Sequence, residues 1–524
     1  VAVALTAISK RSPSKQAFAA IDLAAEPTAT DKARRLATGE LTHLDQAELL
    51  SAPDARVTFA EQTDLPLLSS YVDSHQGLAT GDLPRFGCFF WEVPVLGREW
   101  VPWQSTVDRP VEYAGREKAL LWEGGAGRLH AFNDAHKAVR KNTHLRGLHL
   151  QGRQGVVVTQ VGQLPVTLYT GERYDDNTTV LVPRDPRHLP ALWAYCSSDE
   201  YSRDVRALDG SLKVPANTLA KVTFDLPRWS TVATETYPTG LPEPSSSSAD
   251  QWIFVGNPCS SDGPLHVAIA RLLGYSWPDQ QSDALDTHAD ADGIVCIPAL
   301  RGERPAADRL TDLLAAAWGP DWHPQVLTDL LAAARHKGTL DEWLRDAFFK
   351  QHCELFHHRP FIWHVWDGHR EGFSALVNYH KLDHETLKSL TYSYLGDWIR
   401  DQESEAKAGK SGAGDKLAKA KTLQQRLAAI LEGEAPLDIF VRWKPIEQQP
   451  VGWHPDLDDG VRLNIRPFLT VADVGAKGAG VLRWKPNIKW GVDRGKNPPG
   501  SPWGEDRDND KHLTLAQKRA ARPE

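Results

Sequence analysis

The sequence predicts an α+β chain of several domains: a β-rich first half, a mainly helical domain after it, and a C-terminal segment rich in Trp and basic residues. Three observations predict this. Between residues 61 and 237, short apolar runs such as GVVVTQVG (155–162) and TTVLVP (178–183) alternate with Gly, Pro and Asn turns, the pattern of short strands. Between 251 and 435, apolar residues recur at helical spacing over longer stretches. From 436 onward Trp, Pro, Gly and basic residues mix without a sustained period. With 524 residues, 41% hydrophobic and 24% charged, the chain can fill several packed domains at about 150 residues each.

Residues 1–60 read as a joining segment of short helices, from the spacing of Phe18, Ile21 and Leu23 and then Leu36, Leu41, Leu44, Leu49 and Leu50, split by Pro27. Within the β-rich region 61–237 the clearest helix is 189–202, introduced by Pro186 and Pro190. The stretch TYPTGLPEPSSSSAD (236–250) combines three prolines with four consecutive serines, so neither a helix nor a central strand can run through it. A linker and domain boundary are placed at 238–250. Helical spacing then marks 305–318, 325–337, 340–353 and 383–405. After the small, polar EAKAGKSGAGD (405–415), Leu417, Ala420, Leu423, Leu427, Ile430 and Leu431 define an amphipathic helix that ends near Gly433 and forms one arm of a helical hairpin. Residues 436–524 read as short strands and loops, and no internal repeat is present.

Cys88, Cys196, Cys259, Cys296 and Cys353 are odd in number, widely spaced and without CxxC or Cys/His ligand spacing, which argues against a disulfide framework or a zinc site. The start VAVALTAISK lacks a cleavage context, and no stretch approaches the roughly 20 apolar residues that span a bilayer. The expectation is a cytoplasmic protein without membrane partners. The chain has no Met even at position 1, which suggests an alternative start codon or the edge of a longer, truncated or split gene product. A net charge of −8 excludes wholesale coating of nucleic acid, yet base is locally concentrated. Arg462, Arg466, Lys477, Arg483, Lys485, Lys489, Arg494 and Lys496 face only Asp473 and Asp493 between 461 and 500. A second patch joins Lys137, Arg140, Lys141, Arg146 and Arg153 with His136, His144 and His149, opposed by Asp134 alone.

An Asn/Asp-Pro-Pro-aromatic motif, of the kind that grips an extruded base in enzymes acting on nucleic acid, is not present in proper form. NPPG (497–500) has Gly500 in place of the aromatic and follows a basic loop, so it reads as a rigid turn. WIFVGNPCS (252–260) could deliver Asn257 from a strand, but Cys259 and Ser260 replace the proline and aromatic, leaving a strand-ending turn. HADADG (288–293) would start a calcium loop with His288 and put Ala299 where the bidentate Glu belongs, so it is not an EF-hand. No phosphate-binding loop, nucleophile elbow or HExxH helix occurs. The densest cluster joins His352, His357, His358, His364, His369 and His380 with Phe356, Phe361, Trp363, Trp366 and Arg359. On a strand His357 and His358 would face opposite ways, and no nearby carboxylate supports ligation, so an aromatic core is expected, with nucleic-acid stacking second and no metal.

Longer strings carry more. GLATGDLPRFGCFFWEV (77–93) is similar to the segment that opens the target-recognition region after the catalytic domain in Eco57I-class adenine-specific DNA methyltransferases. EYAGREKALLW (112–122), the run at 177–209 and LKVPANTLAKVTFDLPRW (212–229) resemble later segments of that region in the same order. HVAIARLLGYSWP (266–278), DADGIVCIPALRGE (290–303), HRPFIWHVWDGHREGFSALVNYHKL (358–382), LTYSYLGDWI (390–399), DIFVRWKP (438–445), DDGVRLNIRPF (458–468) and LRWKPNIKWGVDRGK (482–496) resemble the C-terminal half, most of all in the methylases of DISARM-like and BREX-like phage-defence systems.

The resemblance implies a target-recognition region at 61–237, a mainly helical domain at 251–435, a basic, Trp-rich region at 436–524, and no complete Rossmann methyltransferase domain. It also implies that the S-adenosylmethionine and NPPY-type motifs lie N-terminal to everything present. The chain by itself is then expected to hold no cofactor and to transfer no methyl group. It would contribute DNA recognition to a site-specific enzyme of restriction-modification and phage defence, with double-stranded DNA and a catalytic subunit or defence-complex proteins as partners. Charge and position assign recognition to Thr80, Asp82, Arg85 and Phe86 with Lys137, Arg140, Lys141, Arg146 and Arg153, a stacking or phosphate role to Arg359, and a backbone clamp to Arg462, Arg466, Lys485, Lys489, Arg494 and Lys496. The TGD turn has a structural alternative, with Gly81 serving backbone geometry and Asp82 a cap. Two other functions compete: a defence-complex scaffold, marked by an exposed apolar stripe on the 417–431 helix, and a carbohydrate-active enzyme using its 19 Trp as sugar platforms.

Overall fold

The computed structural model describes residues 17–23, 26, 28–51, 65–136, 143–434, 437, 444–470 and 514–522. The architecture is α+β with several separate sheets. The chain divides into two interleaved compact units, one made of residues 1–79, 104–115 and 145–243, the other of 80–103, 116–144 and 244–524.

The first unit is organised by a four-stranded antiparallel sheet in the order Val166–Tyr169, Gly155–Thr159, Thr178–Pro183, Val72–Gln76. Its apolar runs are continuous because both faces are covered. Val156 lies opposite Leu168 and Leu181, and Val158 opposite Val166. This set packs with Leu192, Tyr195, Tyr201 and Phe224. The alternate set, Val157 and Val180 with Val182, packs with Leu150, Tyr169 and Tyr174. Each such buried side chain contributes roughly 1.5–3 kcal/mol. The helix expected at 189–202 is two helices, Leu189–Cys196 and Asp199–Leu208. Ser198 is extended between them, and its hydroxyl accepts from the Tyr201 amide at 3.4 Å, so a new N-cap interrupts the first helix. In the joining segment, the helix Ala29–Thr38 is bracketed by a strand pair, Ala17–Ala20 with Thr42–Asp45, that sets Phe18 opposite Leu44. Four-residue stretches cannot sustain a helical ladder but can satisfy their amides by pairing.

In the second unit, Lys118–Leu121 pairs antiparallel with Gly87–Phe89 on one side and Trp100–Gln104 on the other. A further sheet runs Ile294–Cys296, Ser374–Asn378, Ile362–Trp366, again antiparallel. Around these lie the helices Pro264–Leu272, Ala306–Trp318, Pro324–Ala333, Leu340–Asp346 and Phe348–Leu355. The last two were expected as one helix and are parted at Ala347, whose backbone leaves helical geometry (φ −126°, ψ −38°). Leu395–Lys407 and Ala413–Glu432 form the expected helical hairpin, and the second helix ends at Gly433 in the left-handed region (φ 73°). Ala420, Leu423, Leu427 and Ile430 are buried along it. Described residues after 436 form short helical turns, including Leu457–Asp459, Gly460–Asn464 and Arg466–Thr470, and no strand. Buried Trp453 and Phe468 pack there at a centroid distance of 5.1 Å, and most of 436–524, where strands are expected, lies outside the described residues. No helix among the described residues is long and apolar enough to cross a membrane.

Candidate functional site

Three of the strings quoted above, 77–93, 358–382 and 458–468, meet in one buried polar junction of the second unit. Trp91 is fully buried, and its indole N–H donates to the Arg359 carbonyl at 2.9 Å. The Trp91 carbonyl accepts from the His380 ring at 2.7 Å. Glu92 accepts from the Phe89 amide at 2.9 Å and, across the junction, from the Val461 amide at 3.1 Å. Asn464 donates to the Tyr379 hydroxyl at 2.9 Å and the Asp456 carbonyl at 2.7 Å, while Trp100 donates to Asp458 at 2.8 Å. Gly460 suits this place because its positive φ (75°) disfavours any side chain, and a Cβ would also stand a tight 3.3 Å from the Cys88 sulfur and a Glu92 oxygen.

Burial raises the Glu92 carboxyl, and nearby Arg359 with the two amide donors pulls it part of the way back. Burial pushes Asp459 up to about 6 against the pull of Lys444, whose ammonium lies 2.8 Å away. Burial pushes the Cys88 thiol well up, which removes it as a nucleophile. The junction therefore offers a rigid polar scaffold, with hydrogen bonds holding each charge in place, and no activated group.

The structure separates the residues expected to bind DNA. Thr80, Phe86, Arg359 and Arg466 are buried, and Asp82, Arg85 and Arg462 are partly buried. Gly81 takes the left-handed conformation (φ 72°), and it is the Asp82 carbonyl, not its side chain, that accepts from Arg85 and Phe86 at 3.1 Å. The Arg85 guanidinium lies 4.9 Å from the Phe86 ring centroid and 5.7 Å from that of Phe132. Lys137, Arg140, Lys141, Lys485, Lys489, Arg494 and Lys496 lie outside the described residues, as does the NPPG turn.

Arg146 and Arg153 belong to the first unit, beside the edge strand Val72–Gln76. Arg146 is exposed and donates to Gln76 at 3.2 Å. Arg153 and Arg184 both pair with Asp73, at 3.0 and 3.2 Å, and His75 meets His149 edge-on at 4.2 Å. Arg184 completes this cationic strip, and His75, lowered by burial and by His149, lies beside it as a neutral ring; sequence reasoning missed both. Neither belongs to a run of basic residues, and only strand pairing places them beside Arg146 and Arg153.

Other expectations change in detail. Asn257 is not delivered by a strand, since its side chain accepts from the Cys259 amide at 2.9 Å and caps the turn Pro258–Ser260. Asp290 accepts from the Gly293 amide at 2.9 Å and pairs with Arg309 at 2.9 Å, which accounts for HADADG as a structural turn. His357 and His358 sit in a turn, both with positive φ (51° and 58°), and not on a strand. His357 also has a carboxylate partner far from it in sequence, Asp250 at 3.3 Å. An open cleft of about 590 Å³, lined by Asp292, His380, Lys381, Asp383 and Thr386 among others, lies beside the junction.

No protein-family model matches the chain. Over 171 residues, 31% of its length, it is 25% identical to the adenine-specific methyltransferase PglX of Lacticaseibacillus casei (strain Zhang). The matched part is 14% of that enzyme's length. Among solved structures it is similar to the Type IIL restriction-modification enzyme MmeI in complex with DNA, at 12% identity, covering 56% of this chain and 39% of that one. The TM-score of 0.20 is too low for that likeness to carry an argument. The sequence likeness over those 171 residues is to an adenine-specific methyltransferase, of whose length the chain matches about one seventh.

Proposed function

We propose that this chain is the DNA-recognition portion of a site-specific adenine-N6 DNA methyltransferase of restriction-modification and phage-defence type. The observation that carries the reading is the 171-residue likeness to an adenine-specific methyltransferase. A methylase acting inside a duplex must neutralise phosphates, read base edges and hold the strands around an extruded adenine. The cationic strip of Arg146, Arg153 and Arg184 suits phosphate contact. The buried arginines Arg359 and Arg466 suit a different task, bracing the elements from which the basic 461–500 segment continues.

The turn at 252–260, the better of the two candidates for a base-gripping motif, lacks the residues that task needs. Asn257 is engaged as a turn cap, and Cys259 and Ser260 stand where a proline and a stacking aromatic are needed. No methyl-transfer step is assigned to them, and the methyl donor would be held by a catalytic domain or subunit outside these residues. The competing functions lose support on specific observations. The 417–431 helix buries Leu423, Leu427 and Ile430, removing the exposed stripe a scaffold would use. Trp91, Trp100, Trp343, Trp363 and Trp453 are fully buried and cannot serve as sugar platforms.

The test is binding of the purified chain to fluorescent duplex DNA across a salt series. Log affinity should fall linearly with log salt, and Arg146→Ala should lower the slope by about 0.9, the contribution of one phosphate contact. A folded sample that binds no duplex at low salt overturns the reading.

A further inference from the structure

We infer that Glu117, Asp250 and His357 form a binding site for one divalent transition-metal ion, because three segments far apart in sequence bring one nitrogen and two carboxylate donors together. One donor atom from each residue lies within 4.8 Å of the other two, and all three residues are partly accessible. Glu117 immediately precedes the strand Lys118–Leu121, Asp250 follows the Ser-rich stretch, and His357 occupies the turn after Phe348–Leu355. All three belong to the second unit.

The surroundings orient these donors as outer partners orient metal ligands. The His357 ring is stacked on Phe89 (5.1 Å between centroids, 9° between planes) and lies nearly parallel to Trp91 (5.8 Å, 14°). That fixes the imidazole plane and directs Nε2 at Asp250 Oδ2, 3.3 Å away. The other Asp250 oxygen, Oδ1, accepts from the Ser248 hydroxyl at 2.6 Å and from the Gln251 amide at 3.0 Å. Gln251 also donates to Glu117 Oε1 at 3.1 Å, while its own oxygen accepts from the Arg116 amide at 2.8 Å. One buried glutamine thus braces both carboxylates.

Two carboxylates and an imidazole on this scale carry a charge of −2 when the ring is neutral, with Lys118 the neighbouring cation, and a divalent ion balances the pair directly. Imidazole with carboxylates suits Mn2+, Fe2+, Co2+ or Zn2+ better than the all-oxygen shells of Ca2+ or Mg2+. Water would complete the coordination from the accessible side. The inference is independent of the DNA-recognition reading.

The experiment is titration of the full chain, stripped with EDTA, with MnCl2 followed by loss of the free-ion electron paramagnetic resonance signal. One ion per chain is expected in the wild type, with at least ten-fold weaker binding in Asp250→Asn and in His357→Gln. Thermal melts in EDTA identify folded variants, and Glu117→Gln serves if either of the others fails to fold. Added Mn2+ should raise the melting temperature of the wild type and leave that of the variants unchanged. Absence of a stoichiometric site, or equal binding by wild type and folded variants, overturns the inference and leaves a His357–Asp250 hydrogen bond beside Glu117.

Discussion

The two units hold their centres together by different physics. In the first, valine and leucine alternate on both faces of one sheet, and Val156, Val157, Val158 and Val180 are fully buried with apolar neighbours on either side. In the second, the centre includes Glu92, Arg359, Asp459, Asn464 and Arg466, all buried, within a surround of Trp, Phe and Tyr. An apolar core tolerates small errors of position because dispersion and hydration are not directional. A buried polar junction tolerates few, since each unsatisfied donor or charge costs about 1–3 kcal/mol or more. The comparison teaches that the second unit should be the more sensitive one, both to single substitutions and to pH.

Its aromatic frame should give the largest effect. Trp363 is fully buried, lies 5.2 Å from Tyr379 and 5.1 Å from Phe468 between ring centroids, and donates to the Pro360 carbonyl at 2.9 Å. Trp363→Ala should destabilise by about 3–5 kcal/mol in chemical denaturation. Removing the junction carboxylate comes next. Glu92→Ala leaves the Phe89 and Val461 amides without an acceptor beside Arg359, for about 3 kcal/mol, while Glu92→Gln keeps an oxygen for one of them and should lose less than half as much. Equal losses from the two substitutions would mean that packing, not hydrogen bonding, sets the value of Glu92.

Acid should separate the units. Burial lowers His266 to about 4 and His352 well below its ordinary value, and His352 Nε2 accepts from the Ile362 amide at 3.1 Å, which only an unprotonated nitrogen can do. The unfolded chain therefore binds more protons than the folded one between about pH 6.5 and 4. Stability from these rings is fully present above about pH 6.5 and is lost as the pH falls, by about 2 kcal/mol for His266 at pH 5. Asp459, raised to about 6, acts in the opposite sense and offsets part of the loss. Hydrogen exchange should speed up in residues 264–378 on going from pH 7 to 5, after correction for intrinsic rates, more than in residues 155–183. Uniform acceleration would erase the contrast. The smallest effect is expected at the surface: Arg146→Ala should change stability by no more than about 0.5 kcal/mol, so any loss of DNA affinity can be read as lost contact.

The sequence made the first unit's core readable because its signal is local. GVVVTQVG and TTVLVP announce strands by composition, and both became strands of the central sheet. The helical hairpin was equally legible, with its second helix ending at Gly433 as expected. Boundaries set by one side chain were not, as when Ser198 splits a helix that apolar spacing alone would have continued. The candidate site divides in the same way. Runs of base were visible as runs, but Arg184 and His75 join Arg146 only through strand pairing. His357 looked unpartnered because Asp250 and Glu117 lie 107 and 240 positions away, beyond any spacing rule.

The span of the junction also has a consequence for synthesis. Trp91 and Arg359 are 268 residues apart and Glu92 and Val461 are 369 apart. At about 5–20 residues per second, the segment bearing Phe89, Phe90 and Trp91 leaves the ribosome roughly 15–75 s before both of its partners exist. During that interval the 87–90 backbone can pair with 117–120, but Trp91 lacks the Arg359 and His380 partners that enclose it, whereas the four-stranded sheet can pair once residue 183 has emerged. The nascent chain should therefore recruit holding chaperones to the 85–103 stretch, and its soluble yield should depend on how fast the last third is translated.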